Sequence, residues 1–433
     1  MKKLYLIDKE FPYKSGDYAF IHNEYEHLKR NFDITIIVLN PPDKTEIDYT
    51  LVNDEQIIII NEKSGFYTKL VNLIRFIFSR GCISEILQII KCKEKIFQRI
   101  YRALMFGTAG ESFYRLLIKK VGLKKNTDAL VYFYWNDYHC SGFAMHKKRY
   151  PNVKFVARTH GYDLYDYREL YGKQFFKEQT DKKLDRLIFA AQYAKDYYLM
   201  RYRKEDCEKY PLCRIGVEEK QISDSQLKKK SFLLLSCSHA IAIKRVSLII
   251  EGLTTLDNQV DSIRWVHIGD GNQLSALKEL AKDKLLHSSS VEFEFMGDIP
   301  NDEVLKFYHE NSVDCFITTT STEGGSPVSV QEALSFGVPV IATAVGELPV
   351  MVDGNGVLLS DNPTPSEVGQ AINSVINSRE SAKYESMKRR SLELFHTYFD
   401  ANNNFCELVE NLVTLCENRN GCERKYNEKN RRT

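Results

Sequence analysis

Strand-like and helix-like stretches alternate along almost the whole chain, and that rhythm constrains the fold more than any other feature. Short apolar runs at Leu4–Ile7, Ile34–Leu39, Ala129–Phe133, Lys154–Ala157 and Leu187–Ala190 read as one series of strands. A second series opens at Ser231–Cys237 and continues through Ile263–Ile268, Val291–Phe295, Asp314–Thr318 and Val338–Thr343. Repeated strand–helix alternation implies parallel sheets covered by helices on both faces, and two series imply two doubly wound domains. The polar, charged run 218–230 reads as the linker between them. The expected division is 1–217, the linker, 231–395, and a final stretch 396–433 returning to the first domain as a helix with a polar basic tail. A chain of 433 residues suits two domains of about 200 residues each better than one core. Ligands of parallel sheets bind at the carboxyl ends of the strands, so two such domains facing one another would enclose a central cleft.

The segment 64–125 breaks the alternation. It holds thirteen Lys/Arg against three Asp/Glu, interleaved with apolar residues such as Leu70, Ile74, Phe76, Ile77 and Ile86. It reads as basic amphipathic helices inserted in the first domain, either packed with a solvated positive face or resting on an anionic membrane surface. Elsewhere charge is balanced: the formal net charge is +2, which gives no reason to expect nucleic acid as a partner. Ten scattered cysteines with no CxxC argue against a disulfide framework and for a reducing, cytoplasmic setting. Met1–Asp8 runs into charge after a few apolar residues, so it reads as a first strand and not a signal peptide. No apolar run approaches the roughly 18 residues that cross a bilayer.

Chemistry concentrates in Asp314–Pro349. A buried strand at Cys315–Thr318 breaks into the polar loop 319–325, and a helix start follows, Ser326-Pro327-Val328-Ser329. Ser at the N-cap and Pro at the first helical position are the expected arrangement there. Gly324 and Gly325 ahead of it permit close backbone approach, and a helix N-terminus with free N–H groups is a phosphate site. Glu323 and Glu332 bracket that start, and Gly337 closes the helix before the strand Val338–Ala342.

This order of pieces resembles the donor motif of retaining glycosyltransferases of the GT-B fold, in the large family four. Glu332-Ala333-Leu334-Ser335-Phe336-Gly337-Val338-Pro339-Val340-Ile341-Ala342 matches its second half closely, whereas eight residues separate Glu323 from Glu332 where the family has seven. The resemblance implies an α/β, GT-B architecture and a donor site in the second domain. Lys244 falls on the family's diphosphate-gripping Lys, His239 stands where the family has Arg, and Arg245 is offered as the second cation. Gly269 and Gly271 match the Gly-x-Gly turn, Gly297 lies in the base-reading segment, and Gly325 with the backbone of Ser326, Pro327, Val328 and Ser329 would hold the diphosphate. Glu332 would take the ribose diol.

In the first domain Arg158-Thr159-His160-Gly161-Tyr162-Asp163 resembles the acceptor-side loop, with His160 facing the donor sugar and Asp163 orienting either the loop or His160. Gly16 lies in the loop near the donor phosphates, and Trp135 either stacks on an acceptor sugar or belongs to the core. His160, Lys244 and Glu323 are the catalytic candidates. With no Asp-x-Asp at a strand end, neither a metal nor another cofactor is expected. The implied reaction moves a sugar from a nucleotide-diphosphate sugar to an acceptor hydroxyl with retention, by same-face displacement. The implied acceptor is a glycan, or a lipid-linked glycan of a bacterial surface polysaccharide. The rival readings are a sugar-nucleotide epimerase of the same fold and a non-catalytic sugar-nucleotide sensor or partner subunit.

Overall fold

A computed structural model describes residues 1–417 apart from 15, 40, 43–44, 63–64, 220–230, 257–261, 287 and 289. All but the first two residues of the expected linker, the basic tail and Cys422 therefore lie outside the described residues. The chain divides into two compact units, Met1–Cys213 joined by the stretch from Phe405 onward, and Arg214–Asn404. The nine described cysteines are all free.

The first unit is built on strands β1 (Lys2–Asp8), β2 (Phe32–Leu39), β3 (Ile57–Ile60), β4 (Ala129–Phe133), β5 (Lys154–Thr159) and β6 (Arg186–Phe189). They form one parallel sheet in the order β3-β2-β1-β4-β5-β6, with Leu6 in register with Ile36 on one side and Tyr132 on the other. Helices α1 (Tyr18–Leu28), α2 (Phe66–Ile77), α3 (Arg80–Cys92), α4 (Ile96–Val121), α5 (Tyr138–His146), α6 (Lys177–Asp181) and α7 (Gln192–Tyr202) complete it. The basic segment thus becomes three helices, α2 to α4, between β3 and β4. They join the unit through close backbone contact: a Cβ added at Gly142 of α5 would meet the Gly110 carbonyl oxygen of α4 at 2.1 Å. A fully buried ion pair, Glu24 of α1 with Arg158 of β5, sits under the sheet, and Tyr132 Oη donates to the same carboxylate over 2.8 Å. Arg158 also donates to the Cys213 carbonyl, so each buried charge has a partner where burial alone would forbid it.

The second unit repeats the plan. Strands β7 (Phe232–Cys237), β8 (Ile263–Ile268), β9 (Val291–Gly297), β10 (Cys315–Thr318), β11 (Val340–Thr343) and β12 (Gly356–Leu359) pair in parallel, in the order β12-β11-β10-β7-β8-β9. Helices α8 (Val246–Leu253), α9 (Leu274–Leu285), α10 (Asn301–Glu310), α11 (Val328–Ser335), α12 (Leu348–Met351), α13 (Pro365–Ser378) and α14 (Ala382–Leu394) belong to it. The last helix, α15 (Ala401–Glu417), runs from this unit into the first, where Phe405 packs on His27. The continuous run Phe232-Leu233-Leu234-Leu235 has the pattern of a strand buried on both faces. Phe232 and Leu234 enter one core cluster, Leu233 and Leu235 the other. Both sheets reverse strand order at one place, between β1 and β4 and between β7 and β10. Those two switch points gather the loops that carry the candidate residues.

Candidate active site

At the switch point of the second unit, the loop after β7 makes a 3-10 turn at Ala242–Lys244 and lies against the loop after β10. The Ser321 N–H donates to the Ile243 carbonyl over 2.7 Å, and the Thr320 hydroxyl donates to the same oxygen over 3.1 Å. The Lys244 ammonium pairs with the Glu323 carboxylate at this crossing, so two of the predicted catalytic residues meet directly.

Arg245 is used differently from the expectation. Its Nε donates to Thr319 O (2.7 Å), Nη2 to Thr320 O and Asp361 O (each 2.9 Å), and Nη1 to Asn362 Oδ1 (3.0 Å). A guanidinium spent on four protein oxygens ties the loops together and leaves no fork for a diphosphate. Its positive charge at the start of α8 is compensated by carbonyl oxygens of the protein itself.

The helix start also corrects the sequence reading. Ser326 is not the N-cap and Pro327 is not the first helical residue: Pro327 caps the helix at φ −64°, ψ 127°, and α11 begins at Val328. A missing N–H costs nothing at a cap, and the Gln331 side chain holds the turn by donating to Ser326 O over 3.1 Å. The N–H groups of Val328 and Ser329 consequently form the first turn and find no acceptor among the described residues. Beside them Ser326 Oγ is buried without a partner, and a Cβ added at Gly325 would meet nothing within 4 Å. Unpaired donors, an orphaned hydroxyl and an open backbone approach make a site for oxyanions.

Glu332, one turn along α11, is 4% exposed and accepts from Asn301 Nδ2 over 2.7 Å. Asn301, the first residue of α10, is a member of the site that sequence reasoning missed; its position just past β9 was the available signal. Gly297 closes β9 at φ +73° with open space around it. Gly269 and Gly271 are pressed against the loop after β7. A Cβ at Gly269 would come within 2.0 Å of Ser238 O, and one at Gly271 within 2.5 Å of Ala240 O, so these glycines admit the neighbouring loop of the protein.

In the first unit the switch point is lined by titratable side chains. Gly16 (φ +48°) lies over the Glu10 carboxylate, and the Asp17 carboxylate beside it accepts from Trp135 Nε1 over 2.8 Å. The half-buried indole contacts His160 (4.3 Å between centroids) and Tyr162 (4.7 Å), and the Lys9 ammonium covers both Trp135 and Tyr162. Trp135 is therefore part of the packed wall of this loop cluster. Asp163 is 1% exposed and accepts from the Asn136 N–H and His160 N–H (each 2.6 Å) and the Thr159 hydroxyl (3.0 Å). It clamps the ends of β4 and β5 and fixes the backbone at His160. Burial pushes its pKa up to about 6, opposed by the buried Lys177 ammonium. Lys177 itself donates to Asn136 O, a contact that spacing in the sequence does not signal. Burial, with the Arg158 charge, holds the His160 pKa down to about 3, so the ring is neutral, and its Nε2 is buried without a partner. Burial and the nearby Asp17 raise Asp8 to about 8.

Two parallel sheets with this strand order and interleaved helices define the GT-B fold of glycosyltransferases. Residues 217–392 match the model of the family described as glycosyl transferases group 1. Over 187 residues the chain is 25% identical to one component of the phosphatidylinositol N-acetylglucosaminyltransferase of Arabidopsis thaliana, covering 43% of this chain and 40% of that one. It is 24% identical to the amylovoran biosynthesis glycosyltransferase of Erwinia amylovora over 156 residues, 34% and 37% of the two chains. The matched stretch thus spans about two fifths of those curated relatives. An Anabaena protein solved in complex with UDP shares the fold with a TM-score of 0.66 at 15% identity, over 96% of this chain and 100% of that one.

Proposed function

We propose that the protein is a retaining glycosyltransferase that takes a sugar from a nucleoside-diphosphate sugar. The observation that carries this reading is the join of Lys244 to the β10 loop ahead of the unpaired Val328 and Ser329 N–H groups. A departing diphosphate gains negative charge as the glycosidic bond breaks, and fixed N–H groups and an ammonium stabilise that charge without reorganising. For Lys244 to serve, it must exchange Glu323 for the phosphate, which leaves Glu323 free to accept from the donor sugar. Glu332, steadied by Asn301, suits a ribose diol. The neutral His160, with an unpartnered Nε2, suits a sugar hydroxyl. No side chain in this set is an obvious covalent nucleophile, so the acceptor hydroxyl attacks on the face the diphosphate leaves and gives its proton to the phosphate.

UDP is the first nucleotide to try, because a protein of the same fold is solved with it. A lipid-linked glycan is the acceptor we favour, since the relatives' names include a phosphatidylinositol N-acetylglucosaminyltransferase and an amylovoran biosynthesis enzyme. That acceptor implies work in the cytoplasm, peripheral to a membrane. The test is release of nucleoside diphosphate from a panel of UDP-, GDP- and ADP-sugars, in EDTA. Slow hydrolysis of one donor, unchanged by the chelator and giving the sugar with retained anomeric configuration, is expected. Binding without hydrolysis or transfer would instead identify a sensor, and dependence on added Mg²⁺ would overturn the cation-and-amide account.

A further inference from the structure

The three helices inserted in the first unit each carry two apolar sides. One side packs: Phe76, Cys82, Ile89 and Ala103 close on Phe175 and Phe176. The other is left in solvent. Leu70, Ile74 and Ile77 of α2 recur at helical spacing and are 38–49% exposed. Ile83, Leu87 and Ile90 of α3 do the same at 48–54%, and Phe97, Tyr101 and Met105 of α4 at 53–86%. Such spacing sets each group along one side of its helix. At the helix ends Phe66, Phe78 and Phe97 are more than four fifths exposed. Single apolar residues on a surface are ordinary, but repeated stripes on three adjoining helices are not.

Charge on the same helices is of one sign. Lys69, Arg75, Arg80, Lys91, Lys93 and Lys95 are exposed, whereas the two acids between 66 and 105 are Glu85, which is buried, and Glu94, which pairs with Arg99. At the start of α3 a cavity of about 380 Å³ is lined by Arg80, Lys148, Lys182 and Lys183 beside Phe176 and Met145, with no acidic side chain. None of those four cations forms an ion pair with a described residue. Burial, then Lys148 and Lys182, pull the Lys183 amine below its usual range.

We propose that α2, α3 and α4 form a docking face for an anionic lipid bilayer. The apolar stripes and the terminal phenylalanines enter the acyl boundary, the lysines meet the headgroups, and the cavity at Arg80 accepts a lipid phosphate. Apolar and cationic side chains on the same helices are the combination an interfacial helix uses. A soluble polyanion would leave the stripes wet, and a second copy of this chain would bring like charges together. The inference rests on this surface alone and is independent of the donor reading. No described helix is long and apolar enough to cross a membrane.

The test is flotation of the full chain with vesicles of phosphatidylglycerol and phosphatidylethanolamine against vesicles of neutral phosphatidylcholine. Binding at least ~10-fold stronger to the anionic vesicles is expected, reduced but not abolished by high salt because only the charge component is screened. Combining Phe66→Ser, Phe78→Ser and Phe97→Ser should leave only weak binding that salt removes completely. Combining Lys91→Glu, Lys93→Glu and Lys95→Glu should remove the preference for anionic lipid. Both variants should keep the circular dichroism and the sugar-nucleotide hydrolysis of the parent. Equal binding to both vesicle types, parental binding by the phenylalanine variant, or a dimer in sedimentation that this variant dissolves would each overturn the proposal.

Discussion

The two switch points share a strand order but do their work with different material. In the second unit the candidate site is mostly backbone: the first N–H groups of α11, the approach at Gly325, and one ammonium held by one carboxylate. In the first unit it is a network of buried side chains, in which Asp163 clamps two strand ends and His160 is kept neutral. Backbone donors need only a helix, a turn and a glycine in sequence. A side-chain network needs partners drawn from β1, β4, β5 and α6, and burial that only the folded chain supplies. The first kind of site tolerates substitution around it, whereas the second should couple binding to stability and to pH.

The sharpest way to break that contrast is to remove one member of the buried pair beneath the first sheet. Glu24→Ala leaves Arg158 buried without its counter-charge and should cost about 3–5 kcal/mol of stability, read as a shift in the urea midpoint. A change below 1 kcal/mol would mean the first unit is less dependent on side-chain partners than its geometry indicates. In the second unit Lys244→Ala should spare folding and lower kcat by about 10²–10³-fold, with a smaller loss in nucleoside diphosphate affinity. A loss confined to KM would show that the ammonium binds the ground state only.

Glu332→Gln should weaken nucleoside diphosphate binding by about 1.5–3 kcal/mol, or roughly 10- to 150-fold, measured by calorimetry. Unchanged affinity would remove Glu332 from the ribose. The smallest effect concerns His160. Its pKa is lowered on folding to about 3, so between the ordinary histidine value of about 6.5 and 3 the unfolded chain binds the extra proton. Stability from this group is therefore complete above pH 6.5 and is lost as pH falls, by about 1.4 kcal/mol per pH unit. Asp8 and Asp163, raised to about 8 and 6, act in the opposite sense, since their ionisation on raising the pH costs stability in the fold. The difference between wild type and His160→Gln isolates the histidine: the variant should lose less stability from pH 7 to pH 5. Parallel curves would mean the ring is protonated or solvated in the folded protein.

Much of the second unit was legible in the chain because its pieces are local. A β-strand, a glycine-bearing loop, a helix and a Gly-Val-Pro break occupy consecutive residues from Cys315 to Ala342, and the apolar run Phe232–Leu235 needs no partner to be read as a buried strand. The edge strands β3 and β12 are not among the strands read from the sequence; each buries only one of its four residues, so its place is set by pairing with β2 or β11 in the fold. The helix start was misplaced by one position because the cap is decided by ψ at Pro327 and the reach of Gln331, neither of which composition reveals.

The alternation of strands and helices, the presence of a helix after β10, the position of Lys244 and the basic, apolar character of 66–105 are all legible along the chain. These follow from propensities and spacings within a few turns of chain. Folding fixed where charges and hydrogen bonds end. It turned Arg245 onto four oxygens of its own unit and gave Gly269 and Gly271 to the neighbouring loop. It buried Asp163 under two backbone N–H groups and left the second apolar side of α2, α3 and α4 facing out. The physical reason is the same in each case: a charged or apolar side chain declares what it needs, and the partner that meets the need comes from residues brought near only by folding.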